Sequence, residues 1–197
     1  MKKQWLKLWF NPFERIAGFR ALLWGFIGLI ISTLLSFLSQ WHYHGLLHFG
    51  PAPNPAWWCF AVEHLTVWLI PATLFYLGGL LFSRSRIRLI DVFGTVAFAQ
   101  LPFILMNLFA FLPPMQKMLK INLASLPLQE ITKQPVFLAS VWISLLSFIF
   151  LIWVLILMFK ALKVSCNLKG YRLGIVYCVA VIGGDLICRL IIGLCYK

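Results

Sequence analysis

Three charged side chains, Glu63, Asp185 and Arg189, interrupt stretches of sequence that are otherwise apolar. An ionised side chain at the centre of a membrane helix costs about 2.5 to 3.5 kcal/mol, so such residues normally face the protein interior and pair with one another. Asp185 and Arg189 are four residues apart and share one helical face, where they can form an ion pair. Glu63 and Arg189 are expected at a similar depth, roughly 10 Å inside the membrane surface. We therefore predict one buried ionic cluster of Glu63, Asp185 and Arg189 between two apolar helices.

This predicted cluster has two interpretations. In the first, which we favour, the role is structural: the cluster specifies which helices pack together, or Arg189 simply extends towards the membrane surface. In the second, the three side chains line the polar path of a small transporter or channel. Replacing Glu63 by Gln separates the two, because a folded but inactive protein would favour the path.

Three histidines lie close together in the segment WHYHGLLH, at His42, His44 and His48. Neighbouring imidazoles are capable of binding zinc or copper. No carboxylate or thiolate completes a recognised metal-ligand spacing around them, so we predict no metal site and no cofactor, with these histidines as the alternative candidates. The sequence also lacks the HExxH, GxSxG, P-loop and GxGxxG motifs. We therefore predict that the protein is not an enzyme.

The composition is that of an integral membrane protein. Of the 197 residues, 62% are hydrophobic and only 11% are charged, and the mean hydropathy is +0.92. The formal net charge of +12 would suggest nucleic acid in a soluble domain. Here the basic residues flank apolar segments, so topology and anionic lipid headgroups explain them better, and no nucleic acid is expected.

Five segments approach the ~20 apolar residues that a membrane-crossing helix needs. They predict an all-α bundle of five transmembrane helices. The N-terminal region, residues 1–20, mixes aromatic with basic residues and predicts an interfacial segment on the cytoplasmic surface, followed by a five-span domain over residues 21–197. The predicted spans are residues 21–38, 57–82, 92–112, 136–159 and 173–194.

The distribution of Lys and Arg predicts the orientation. Twelve of the 17 lie on one side of the predicted spans, four lie on the other and Arg189 lies within the membrane; cytoplasmic loops carry the excess of positive charge. The N-terminus is therefore expected in the cytoplasm and the C-terminus outside, in a multi-pass protein of the cytoplasmic (inner) membrane. The twelve are Lys2, Lys3, Lys7, Arg15, Arg20, Arg84, Arg86, Arg88, Lys160, Lys163, Lys169 and Arg172.

Two stretches resemble a known family. The sequence LIDVFGTVAFAQLP at residues 89–102 resembles the entry to the third span of the Yip family, membrane proteins named for their interaction with Ypt/Rab GTPases. The sequence WFNPF at residues 9–13 is similar to the segment before span one in the shorter, bacterial-type members. The family-motif positions are Pro12, Asp91 and Pro102. This resemblance implies a five-span bundle with a cytoplasmic N-terminus.

Physical roles follow for two of these positions. Asp91 can act as N-cap or first-turn anion for the third span, since the N-terminal end of a helix favours negative charge. Pro102 frees a backbone carbonyl that we expect a neighbouring helix to satisfy.

The resemblance and the residues together predict a non-enzymatic scaffold or partner-binding protein with a role in membrane organisation or trafficking. The expected partners are anionic headgroups on the cytoplasmic face and a protein partner or second copy of the chain. The alternative is the small transporter or channel component that uses Glu63, Asp185 and Arg189.

Overall fold

A computed structural model of the chain describes residues 9–51, 55–120 and 132–196. Five helical segments in these ranges are long and apolar enough to cross a membrane. The predicted all-α bundle of five spans is therefore confirmed. The five segments are Gly18–Ser39, Trp57–Phe82, Leu89–Phe109, Pro135–Ser165 and Gly170–Tyr196.

The first span is α1 and the second α2, with a two-stranded hairpin of β1 and β2 between them. The third span consists of two helices, α3 and α4, and α5 precedes the long α6 and the final α7. Two turns of 3₁₀ helix, at Pro12–Glu14 and Leu194–Tyr196, flank this series. The bounds are α1 Gly18–Ser39, β1 Trp41–Tyr43, β2 Phe49–Pro51, α2 Trp57–Phe82, α3 Leu89–Ala99, α4 Phe103–Phe109, α5 Pro113–Lys120, α6 Pro135–Ser165 and α7 Gly170–Gly193.

Successive spans run in opposite directions, so the connections gather at two ends of the bundle. We call the end that carries β1, β2, α5 and the Leu194–Tyr196 turn the hairpin end. The opposite end carries the α2–α3 and α6–α7 connections, and we call it the basic end after its Lys and Arg residues. The basic residues in and beside these two connections are Arg84, Arg86, Arg88, Lys160, Lys163, Lys169 and Arg172.

Small residues allow close contact between α1 and α3. A side-chain carbon added to Gly25 would lie 2.4 Å from the Cβ of Ala97, so only glycine fits there. Helix association in a membrane depends on such close packing because lipid supplies no hydrophobic driving force between helices. The buried face of α1 consists entirely of small residues: Ala21, Gly25, Gly28, Ser32, Ser36 and Ser39.

The third span departs from the continuous helix predicted over residues 92–112. Helix α3 ends at Ala99 and α4 begins at Phe103, with Pro102 in the break. Pro102 has no N–H, so the carbonyl of Phe98 loses its usual partner four residues on. The Leu101 N–H donates to that carbonyl instead, at 3.1 Å. The expectation that a neighbouring helix satisfies it is therefore wrong, because a tighter local turn does so.

At the other intramembrane proline, Pro71, a residue from the neighbouring span does donate to the freed carbonyl. Pro71 lies inside α2 and leaves the carbonyl of Val67 without an N–H partner in its own helix. The side-chain amide of Gln100, in the break between α3 and α4, donates to this carbonyl at 2.9 Å. The two proline irregularities thus meet, since the break in the third span presents the donor that the second span lacks.

The region before α1 packs against the bundle. Pro12 opens the first 3₁₀ turn, and the Phe13 side chain next to it is 1% exposed in the main core. The ring of Trp153 lies 5.4 Å from that of Trp9, tilted by 32°, and its indole N–H donates to the Trp9 carbonyl at 3.0 Å. Residues 1–8 of the predicted interfacial segment lie outside the described residues, and its last three residues, 18–20, belong to α1.

Asp91 lies in the first turn of α3, as one of its two predicted roles requires. The N-cap residue is Arg88, so the alternative role of Asp91 as N-cap is wrong. The carboxylate also faces the start of α1, because a side-chain carbon on Gly18 would lie 3.1 Å from Asp91 Oδ1. Asp91 is thus a structural residue where two helices begin.

The contact between Gln100 and Val67 yields a double-mutant prediction. The Gln100→Leu variant removes the donor, and the free energy of unfolding should fall by about 0.5 to 2 kcal/mol. In a Pro71→Ala background the new backbone N–H supplies that donor, so the same change should cost close to nothing. Denaturant unfolding of the four proteins in detergent measures both costs. Equal costs in the two backgrounds would contradict the compensation of Pro71 by Gln100.

Candidate functional site

The hairpin enters the helix bundle. Its strands pair in antiparallel register, with Tyr43 opposite Phe49, and the His44 N–H donates to the His48 carbonyl at 2.9 Å. The Tyr43 ring lies 5.0 Å from that of His64, which is seven residues inside α2. Leu46, near the tip, is 1% exposed. We call residues 41–51 the re-entrant hairpin, because its backbone lies at the depth of the spanning helices.

Non-helical backbone at membrane depth is tolerated only where protein or water satisfies its polar groups. In a two-stranded hairpin, alternate amides of each strand point away from the partner strand, as at Tyr43, and amides around the tip, as at Leu47, have no opposite strand to pair with. The positions of Glu63 and Asp185 follow from this requirement.

The first carboxylate, Glu63, is fully buried and binds β1. Its Oε2 accepts the backbone N–H of Tyr43 at 3.2 Å, and its Oε1 lies 2.7 Å from His42 Nδ1. The hydroxyl of Tyr196, in the C-terminal 3₁₀ turn, donates to the same Oε1 and lies 2.8 Å from His42 Nδ1. We call Glu63, His42, Tyr196 and the Tyr43 amide the Glu63 centre. It joins α2, the re-entrant hairpin and the C-terminal turn.

The second carboxylate, Asp185 on α7, is 4% exposed and binds the other side of the hairpin. Its Oδ1 accepts the backbone N–H of Leu47 at 2.9 Å. Its Oδ2 accepts the Arg189 Nε–H at 2.9 Å and lies 2.8 Å from Arg189 Nη2, so the two side chains form an ion pair. Arg189 Nη2 also contacts the His48 ring, 2.7 Å from Nδ1, while the Arg189 side chain remains 43% exposed. We call Asp185, Arg189, His48 and the Leu47 amide the Asp185 centre.

These contacts correct the predicted single cluster. Asp185 and Arg189 pair as expected, but the hydrogen bonds and ion pairs that Glu63 makes in the described part of the chain go to His42, Tyr43 and Tyr196. The reason is the re-entrant hairpin, whose amides give each carboxylate a partner of its own. Instead of neutralising each other across a helix interface, the charged residues of α2 and α7 hold an inserted segment between them.

The three candidate metal-binding histidines take different roles. His42 joins the Glu63 centre and His48 the Asp185 centre. The Nε2 of His44 instead lies 3.3 Å from the Pro51 carbonyl, across the hairpin. Within the described residues, no three His, Cys, Asp or Glu side chains are placed to hold a metal ion.

A second polar network crosses the bundle below the hairpin, and we did not predict it. Asn107 on α4 donates to Ser32 Oγ at 2.5 Å and accepts from Ser36 Oγ at 3.1 Å. The Nε2 of His64 lies 3.1 Å from the same Ser32 Oγ, and its Nδ1 lies 2.9 Å from the Phe60 carbonyl. Ser32 and Ser36 belong to α1, His64 to α2 and Asn107 to α4, so the network fixes the register of these three helices. The sequence signal that could have predicted this network is Asn107, a polar residue within an apolar segment.

The Asp185 centre yields a prediction about the hairpin. An Asp185→Ala variant leaves the buried Leu47 amide without an acceptor, which costs about 1 to 3 kcal/mol. Hydrogen exchange of peptides covering residues 41–51, followed by mass spectrometry, should therefore be about five- to a hundredfold faster. The control, Arg189→Gln, keeps the Asp185–Leu47 bond and should change exchange less. Unaltered protection in Asp185→Ala would contradict the anchoring role.

His44 yields a prediction about pH. Burial lowers its pKa from the usual value of 6.5, and the neighbouring His42 and His48 act in the same direction, although the Pro51 carbonyl and the Glu63 carboxylate oppose them. Below pH 6.5 the unfolded chain therefore binds a proton that the folded chain does not, so stability falls with pH until the folded pKa is passed. Thermal unfolding between pH 8 and pH 5 should show a smaller loss in His44→Gln than in the wild type. An equal loss of melting temperature in the two proteins would contradict a contribution of His44 to the pH dependence of stability.

Comparison with known proteins gives one match. A family model described as "Yip1 domain" matches residues 6–190. No curated protein and no solved structure matches the chain. The match covers the first four spans, the fifth span as far as residue 190, and both carboxylate centres except Tyr196.

Proposed function

Because this chain belongs to the Yip1 domain family, as the match over residues 6–190 shows, we propose that it is a non-enzymatic scaffold that binds a partner at the membrane. The protein is an integral membrane protein with several spans. The proposed partner is a protein or a second copy of this chain, recruited at the basic end and along the lipid-exposed faces of the spans.

The main support for this proposal is that the Glu63 and Asp185 carboxylates are already bound within the protein. Glu63 and Asp185 are the acidic groups that a transport path would use, and each is already bound to a hairpin amide and to a second side chain. A carrier that cycles ions or protons through them would have to break these contacts and release the hairpin in each cycle. A fixed structural role explains the same contacts without movement.

The basic end supplies the proposed binding surface. Seven Lys and Arg residues lie in and beside its two connections, whereas the described acidic residues at this end are Glu14 and Asp91. Since positive loops stay in the cytoplasm, we place this end on the cytoplasmic face of the inner membrane, with the N-terminus inside and the C-terminus outside. Anionic lipids attract each such residue by about 1 kcal/mol, and an acidic protein surface would be attracted in the same way.

A paired experiment tests the scaffold against the transporter. Cross-linking in native membranes should capture a reproducible protein partner or a dimer, and the double charge reversal Arg86→Glu/Arg88→Glu should reduce its yield severalfold. The matched control is Lys117→Glu/Lys120→Glu, which changes the charge equally in α5 at the hairpin end and should leave the yield unchanged.

Vesicles provide the opposing measurement. Purified protein reconstituted into liposomes should pass no protons or small ions beyond the background of empty vesicles. Flux that is lost in a folded Glu63→Gln variant would overturn the scaffold and support the transporter. Equal cross-linking in both charge-reversal variants would contradict the basic end as the binding surface.

A further inference from the structure

A cavity of about 510 Å³ opens at the basic end between the two connections. One wall is the end of α2 and the residues after it, and the other is the connection that leads into α7. The ten lining residues include three cations and no acid. They are Phe82, Ser83, Arg84, Ser85, Asn167, Leu168, Lys169, Gly170, Tyr171 and Arg172.

One hydrogen bond between the walls and one within the first wall give the cavity a defined shape. The side-chain amide of Asn167 donates to Ser85 Oγ at 2.9 Å, joining the two connections. On the first wall, the Ser85 N–H donates to Ser83 Oγ at 3.1 Å. Asn167 and Gly170 both have positive φ, 48° and 61°, which turns the chain sharply into α7. The three cations therefore project from a preformed frame of two loops.

The cavity lies at the level of the lipid headgroups. Its walls contain the last residue of one spanning segment, Phe82, and the first residue of another, Gly170. Just inside this level the surface is apolar and faces lipid, since Leu81 is 78% exposed and Ile175 is also exposed. Below the cavity the helices close together, because a side-chain carbon on Gly78 would lie 2.4 Å from Val176. A ligand would therefore find positive charge above an apolar surface.

We propose that this cavity binds the negatively charged phosphate group of a ligand, with the headgroup of an anionic phospholipid as its occupant. Arg84, Lys169 and Arg172 supply the charge that a phosphate needs, and Ser83 supplies a further polar group at the wall. The acyl chains would lie along the exposed side of α2 and α7. The proposal deepens the attraction of the basic end for anionic headgroups, on which it rests, by assigning it to one cavity.

Titration calorimetry of the full-length protein in uncharged detergent tests the site. Three probes are compared: dioctanoyl phosphatidylglycerol, dioctanoyl phosphatidylcholine and inorganic phosphate alone. The anionic lipid should bind more tightly than the zwitterionic one. Because each basic residue contributes about fivefold, Arg84→Gln/Lys169→Gln/Arg172→Gln should weaken binding of the anionic lipid by about a hundredfold.

The matched control is Lys117→Gln/Lys120→Gln/Lys133→Gln, which removes the same charge from the hairpin end, away from the cavity and from the proposed partner surface. It should weaken binding by less than about threefold, because salt screens charges beyond the contact distance. Preference for the anionic lipid with no response to phosphate identifies the lipid as occupant, whereas equally variant-sensitive binding of phosphate alone identifies a soluble phosphate compound. Equal losses in both triple variants, or equal binding of the two lipids, would overturn the site.

Failure of this site is distinguishable from failure of the scaffold. If the two triple variants behave alike while Arg86→Glu/Arg88→Glu still reduces cross-linking, the cavity is refuted and the partner surface stands. If the cavity discriminates the lipids but the charge reversal leaves cross-linking unchanged, the partner surface is refuted and the cavity stands.

Discussion

Unpaired backbone amides at membrane depth are the constraint on which the rest of this structure depends. Lipid offers them no hydrogen bond, so the re-entrant hairpin can exist only where protein supplies acceptors. Glu63 receives the Tyr43 amide and Asp185 receives the Leu47 amide. Each carboxylate is in turn balanced by a neighbour, His42 with Tyr196 for one and Arg189 for the other. The charged residues and the inserted backbone therefore stabilise each other.

The helices around the hairpin follow the same physical rule. Each proline removes a donor, and the structure restores one nearby: Leu101 for the Phe98 carbonyl and Gln100 for that of Val67. Small residues on α1 bring its backbone against α3, which places Ser32 within reach of Asn107. Polar groups inside the bundle thus pair across helices and specify one arrangement of helices that apolar contacts alone would leave less defined.

The two ends of the bundle differ in a way that bears on function. At the hairpin end the buried charges have partners within the chain, and the site is closed by the C-terminal turn. At the basic end, Arg84, Lys169 and Arg172 line an open cavity that contains no acid. Binding energy is available where positive charge has no acidic partner, so external anionic ligands are better matched to the basic end.

The sequence by itself determined that the chain forms five membrane-spanning helices and that Asp185 pairs with Arg189, because apolar length and a four-residue spacing are local properties. It also indicated the family, through short motifs around Pro12 and Pro102. Only the tertiary structure decided that Glu63 binds His42 and Tyr196, since these residues come from three distant parts of the chain. The hairpin, the break at Pro102 with its Gln100 donor, and the cavity between two loops likewise depend on which backbone groups meet in space, and no spacing along a chain encodes that.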